Sequence, residues 1–357
     1  MQSDPALDEL RGFLPLLLRA LEGLGFVARH LNPPALGRVL AVVAEPAAAL
    51  REARPGLDAW PDDLAPIRGT LQAVADEALA AFDELAAAEE MRGVYRALRH
   101  LPRAQEALYP LAAGLAPVSR YFLSPGKRDD AALQASLAGA APRGDVGVFH
   151  VDNEPGSRGG FSLYVPETYD PARAWPLVMA LHGGAGNGRG FLWSWLRDAR
   201  AHGAILAAPT AVGDTWALQG DDADSPNLTR ILHDIRARWR LDDARLVLTG
   251  MSDGGTFAYV SGLEQRSPFT HLAPACAAFH PMLAAFADAG RLQDLPIHIT
   301  HGALDWMFAV DLAREAEATL AAAGARVTYR ELADLSHCYP SEINPEVLAW
   351  AEATAAR

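Results

Sequence analysis

The sequence predicts two unlike halves, an all-α helical domain followed by an α/β domain of three layers, α/β/α, around a mostly parallel twisted sheet. Three observations carry this. Apolar residues recur at helical spacing up to about residue 123. From residue 147 onward, short unbroken apolar runs alternate with helix-length segments. Between them lies SPGKRDDAALQASLAGAAPRGD, which is small, polar and poorly periodic. The expected organisation is therefore a helical domain over 1–123, a linker over 124–146 and an α/β domain over 147–357.

In the first half Leu7, Leu10, Leu14, Leu17, Leu21 and Leu24 alternate steps of three and four, which lines them along one helix face. Asp4 before Pro5 suits an N-cap and first helical position. Ile67, Leu71, Val74, Ala78, Phe82 and Leu85 repeat the pattern, as do Met91, Tyr95 and Leu98. Prolines 33, 34, 61 and 102 punctuate the segments, so four to six antiparallel helices are expected. Arg92, Arg96, Arg99 and Arg103 share the face opposite Met91 and Tyr95. They read as a solvated face paired with Glu89, Glu90 and Glu106, with a docking surface as the alternative.

In the second half VGVFHV and GFSLYVP alternate like paired strands across EPGSRGG. PLVMALHG, AILAAP, RLVLTG, HLAPACAAF, PIHITHG and RVTYREL then supply buried strands, each followed by a helix-length segment.

Bulk properties narrow the function classes. Net charge is −13, which disfavours a nucleic-acid backbone as partner. Lys127 is the only lysine, a bias that fits a GC-rich coding sequence. Cys276 and Cys338 are too few for a disulfide framework and wrongly spaced for zinc. FLPLLLRAL is preceded by Asp4, Asp8 and Glu9 where a secretory signal carries positive charge, and no run has the length of a membrane span. The expectation is a cytoplasmic protein with no membrane partner, no metal and no cofactor.

Chemistry concentrates in TGMSDGGTFAY, where Ser252 has Gly250 and Gly254 two residues away on either side. The strand RLVLTG precedes it and a helix comes after it, which is the strand–turn–helix that a nucleophile elbow requires. Such a turn puts the hydroxyl near a helix N-terminus at the carboxyl edge of the sheet, where unpaired amides favour developing negative charge. On these residues, from about 147 to the end, the chain resembles an α/β-hydrolase. Its order and spacing are similar to the carboxylesterase, feruloyl esterase and polyhydroxybutyrate depolymerase-like branch.

The resemblance implies a serine–acid–histidine triad in that chain order. His337, in ADLSHCYP, is the only histidine left after the PIHITHG strand and the acid that follows it. In this family the acid follows a strand ending in His-Gly, which is Asp305 here; Asp334, three residues before the histidine, is the serious rival, ahead of Asp311 and Glu331. For the oxyanion hole the resemblance implies the amides of Asp253 and Gly184, with Ala185 as the alternative donor. His182, His298 and His301 are expected to be structural.

Trp216, His280 and Trp306 are candidate substrate contacts at the rim, and Asp221, Asp222 and Asp224 are read as a solvated turn rather than a calcium loop. The resemblance also implies hydrolysis of a small-molecule or polymeric ester, with a prolyl-oligopeptidase-type peptidase or an inactive binding module as alternatives. The helical half is expected to shade the pocket or to support a homo-oligomer.

Overall fold

The computed structural model describes residues 5–355, with side chains from residue 9 onward. Asp4 and the side chain of Leu7 lie outside the described residues. Two compact units divide the chain, Met1–Arg128 and Asp129–Arg357.

The first unit contains α1 (Pro5–Arg29), α2 (Leu36–Val42), α3 (Ala44–Ala53), α4 (Ala65–Ala87), α5 (Met91–Leu98), α6 (His100–Leu108) and α7 (Ala116–Tyr121). These are more and shorter pieces than the expected four to six. Single non-helical joints, Val43 between α2 and α3 and Arg99 between α5 and α6, divide segments whose apolar spacing runs on unbroken. Leu14, Leu17, Leu21 and Leu24 of α1 are buried, as are Leu71, Val74, Ala78, Phe82 and Leu85 of α4. On α5 the fully buried residues are Val94 and Ala97, while Met91, Tyr95 and Leu98 are half-buried. The buried stripe is thus centred about one residue from the predicted one. Arg92, Arg96, Arg99 and Arg103 are exposed, and Arg96 pairs with Glu84 of α4 at 3.4 Å.

The stretch read as a linker contains a helix, α8 (Ala131–Ala138), capped by the Asp130 carboxylate, which accepts the Leu133 amide at 3.1 Å. No residue of α8 is buried, so it has no apolar stripe to announce it.

The second unit is built on one eight-stranded sheet: β1 (Gly147–Val151), β2 (Phe161–Val165), β3 (Trp175–Leu181), β4 (Ile205–Pro209), β5 (Leu241–Met251), β6 (His271–Ala275), β7 (Pro296–Gly302) and β8 (Arg326–Leu332). The spatial order is β1-β2-β4-β3-β5-β6-β7-β8. β1 and β2 form the expected hairpin, β2 also runs antiparallel to β4, and β3 to β8 are mutually parallel. Short α9 (Gly188–Phe191) and α10 (Leu196–His202) come before β4, and α11 (Asp224–Arg236) precedes β5. α12 (Asp253–Gly262) follows β5, α13 (Met282–Phe286) and α14 (Ala289–Leu292) follow β6, and α15 (Asp311–Ala322) and α16 (Asn344–Thr354) follow β7 and β8.

Alternation along β3 explains the layering. Leu177, Met179 and Leu181 share a core with Ile231 and Ile235 of α11, Phe257 of α12 and Leu320 of α15. Val178 and Ala180, equally buried, point the other way, toward the layer where α10 packs on α16. Among the described residues no single helix is long and apolar enough to cross a membrane. One pair bent by 46°, Pro33–Val42 with Ala44–Ala59, meets that test by length and composition only.

Candidate active site

Ser252 joins β5 to α12 at φ 55° and ψ −122°, a backbone conformation that L-residues rarely adopt. The flanking glycines make this turn sterically accessible. A Cβ on Gly254 would lie 2.4 Å from the His182 carbonyl oxygen, and one on Gly250 would lie 2.5 Å from the Gly254 backbone. The Ser252 amide donates to the Ala275 carbonyl of β6 at 3.0 Å, and the Ser252 carbonyl accepts the first helical bond from Thr256 at 2.8 Å. The hydroxyl is thereby held at the carboxyl edge of the sheet, ahead of the α12 N-terminus.

Asp305 lies in the turn after β7 and His337 in the loop after β8. His337 Nε2 is 3.0 Å from Ser252 Oγ, and Nδ1 lies 2.9 Å and 3.1 Å from the two Asp305 oxygens. An ionised carboxylate only accepts, so Nδ1 carries the proton and Nε2 is left to accept the serine hydroxyl. All three side chains are buried, with exposures of 7% for Ser252, 9% for Asp305 and 3% for His337.

Burial alone would raise the Asp305 pKa. The hydrogen bond from His337 and the amides of Phe308 (2.8 Å) and Met307 (2.9 Å), donating to Oδ1, outweigh it and hold the carboxyl below its ordinary value. The two loops are laced together, because the Ala303 amide donates to the Leu332 carbonyl and the Leu304 amide to the Leu335 carbonyl, each at 2.9 Å. The rival acids are placed elsewhere. Asp334 is exposed, and Asp311 and Glu331 both bind Arg314.

His301 is buried behind the acid. Its Nε2 donates to the Phe308 carbonyl at 2.9 Å and lies 3.4 Å from Asp305 Oδ2, and burial lowers its pKa. His298 packs edge-on to Trp350, its pKa likewise lowered by burial.

His182 braces the loop that follows β3. The Ala211 amide donates to its Nε2 at 3.1 Å, so the proton is on Nδ1, which donates to the Gly183 carbonyl at 2.7 Å. Burial lowers its pKa to about 4 and keeps it neutral. In that loop Gly184 is exposed and Ala185 sits at φ 54°. The amides of Gly184 and Asp253 meet no acceptor among the described residues.

Three rim expectations come out differently from one another. Trp216 is 2% exposed, donates from Nε1 to the His182 carbonyl at 2.7 Å and stacks on Phe257. It is a strut beneath the loop, not a surface for substrate. His280 is exposed, and its Nδ1 accepts the Met282 amide at 3.2 Å. Trp306 is half-exposed with its ring 6.4 Å from that of His337, and Phe308, which the sequence did not single out, stands edge-on to the same imidazole at 5.2 Å.

Of the aspartate cluster, Asp221 is exposed as in a solvated turn, but Asp224 is buried. Asp222 accepts the amides of Asp224 and Ser225, and Asp224, 1% exposed, accepts those of Val212 and Ala217 and so organises the loop after β4. Two further residues went unnoticed in the sequence. Arg158 donates to the Gly186 (2.9 Å) and Gly213 (2.6 Å) carbonyls, tying the loops after β3 and β4, and Thr215 donates to Asp253 Oδ2 at 2.6 Å. Among the described residues no group of His, Cys, Asp and Glu side chains is arranged to hold a metal ion.

The strand order, the elbow and the convergence of three loops at one sheet edge define the second unit as an α/β-hydrolase domain. Residues 226–348, about a third of the chain, match the sequence model of the phospholipase/carboxylesterase family. No curated protein sequence matches the chain.

Solved structures with a similar fold include a thermostable esterase, 21% identical with a TM-score of 0.48, the match covering 59% of this chain and 64% of that one. A ferulic acid esterase is 17% identical with a TM-score of 0.48, covering 58% and 97%. FphF, a fluorophosphonate-binding serine hydrolase of Staphylococcus aureus, is 12% identical with a TM-score of 0.45, covering 57% and 96%.

Proposed function

We propose that the second unit hydrolyses carboxylic esters through an acyl-enzyme intermediate formed on Ser252. The observation that carries this reading is the continuous chain of hydrogen bonds from Asp305 through His337 to Ser252, at the carboxyl edge of a parallel sheet. As Ser252 Oγ attacks the acyl carbonyl, its proton passes to His337 Nε2. Asp305 stays ionised, holds the Nδ1 tautomer and stabilises the imidazolium. The Asp253 and Gly184 amides stabilise the developing oxyanion, helped by the α12 N-terminus. Collapse of the tetrahedral species returns the proton to the leaving alcohol. Water, deprotonated by the same imidazole, then releases the acid and restores the serine.

A fluorophosphonate probe tests this. It should label the native protein and fail to label Ser252→Ala, and an aryl ester should be cleaved far faster than the amide of the same acyl group. A folded protein that is neither labelled nor active on esters would remove the proposal.

A further inference from the structure

The residue after the nucleophile is an aspartate, and its carboxylate stays beside the reaction centre. Asp253 is half-buried, and its Oδ2 is held by the Thr215 hydroxyl at 2.6 Å. A Cβ on Gly184 would lie 2.8 Å from that same oxygen, so the carboxylate neighbours both residues whose amides are assigned to the oxyanion. Asp253 Oδ1 takes no hydrogen bond among the described residues, and the adjoining Gly184 is exposed.

Among the described residues no cation pairs directly with Asp253, and the α12 N-terminus on which it sits offsets its charge only in part. Thr215 is a neutral donor, and Arg158, whose guanidinium spans the same two loops, binds the Gly186 and Gly213 carbonyls and makes no ion pair with Asp253. A carboxylate next to a developing oxyanion is unfavourable unless something compensates it. Oδ1 is open to solvent, so a donor on a bound substrate can take the place of water there.

Resting on the serine-esterase reading, we propose that Asp253 and Thr215 form a subsite for a hydrogen-bond donor on the acyl group, close to the carbonyl and cationic in the favoured case. The substrate class is then an ester whose acyl part carries an ammonium group, with a neutral hydroxyl as the weaker version of the same contact. Thr215 holds Oδ2 and leaves Oδ1 as the oxygen free to meet this group. The same charge repels acyl groups that carry a carboxylate of their own.

The test uses aryl esters of acyl groups of one size, namely alkyl, 2-hydroxy, 2-ammonium and terminal carboxylate, on the full-length protein and on Asp253→Asn, which keeps the backbone amide. Substituents alter intrinsic ester reactivity, so the readout is the ratio of kcat/KM values compared between the two proteins, in which reactivity cancels. The ammonium-over-alkyl ratio should fall about two- to fivefold in Asp253→Asn, the range of a partly exposed ion pair, and the carboxylate-over-alkyl ratio should rise by a similar factor. The hydroxyl-over-alkyl ratio should fall less.

Equal ratios in the two proteins, with Ser252 still labelled, overturn the subsite and leave the esterase reading standing. No ester turnover and no Ser252 labelling overturn both. If Asp253→Asn does not fold, the native protein decides: its ammonium-over-alkyl ratio should narrow from low to molar salt, and a ratio indifferent to salt rejects the subsite.

Discussion

Replacing Asp305 by asparagine exchanges one oxygen for an NH2 group, and the surrounding hydrogen bonds dictate which one. Oδ1 accepts the Met307 and Phe308 amides at 2.9 Å and 2.8 Å, both donors, so the asparagine must leave its carbonyl oxygen there and turn its NH2 toward His337. A donor facing Nδ1 favours the tautomer with the proton on Nε2, the atom 3.0 Å from Ser252 Oγ. The serine then has no base to take its proton. The same exchange in serine proteases of another fold lowers turnover about 10⁴-fold, equivalent to about 5 kcal/mol of transition-state stabilisation, and Asp305→Asn is expected to match it. Steady-state hydrolysis of an aryl ester at neutral pH, normalised to folded protein by circular dichroism, measures this. Asp334→Asn, on an exposed side chain, serves as the control and should stay within about twofold. An Asp305→Asn protein within tenfold of the native rate, or a larger loss in Asp334→Asn, would refute the assignment.

Gly254→Ala places a methyl 2.4 Å from the His182 carbonyl oxygen, so α12 must move off β3. About 1–3 kcal/mol of stability should be lost by chemical denaturation and about 10² in turnover, because the nucleophile moves with the helix; native-like kinetics would contradict the close approach. Burial lowers the His182 pKa from 6.5 to about 4, so as pH falls the unfolded chain takes the proton first. Its stabilising contribution is complete above pH 6.5 and is lost between there and about pH 4, by about 3 kcal/mol. His271, also lowered to about 4 by burial, acts in the same direction. Calorimetry should show Tm falling across that window, less steeply in His182→Gln; equal slopes would argue against it. Trp216→Phe removes the indole bond to the His182 carbonyl and should cost about 1–2 kcal/mol of stability with little change in preference among esters. A changed substrate order would return Trp216 to the rim.

Much of the second unit is legible in the sequence because its signals are local. The eight strands are short apolar runs bounded by turn residues, and the elbow is announced by two glycines that no larger residue can replace sterically. His337 is identifiable because no other histidine remains after the acid. The misreadings share a different physics. Trp216 and Asp224 sit in a stretch of polar and small residues that looks solvated, yet Trp216 is buried against the distant His182 carbonyl and Asp224 inside its own folded loop, on the amides of Val212 and Ala217. Thr215 and Arg158 matter only through atoms that tertiary folding brings to them. In the helical unit, hydrophobic period marks the faces of α1 and α4 but not the joints at Val43 and Arg99; Pro46 and Pro102, three residues beyond them, lack the N–H that would carry the helical ladder across each joint.

The lacing between the loops after β7 and β8 has a mechanical consequence. Two backbone bonds carry the parallel ladder past the strand ends, and a Cβ on Gly302 would already lie 2.3 Å from the Leu335 oxygen, so the aspartate and the imidazole ride on one stiff plate. The serine rides on another, the β5–α12 corner. The aspartate–imidazole link therefore lies within one plate, whereas the imidazole–hydroxyl link reaches across β6 from one plate to the other.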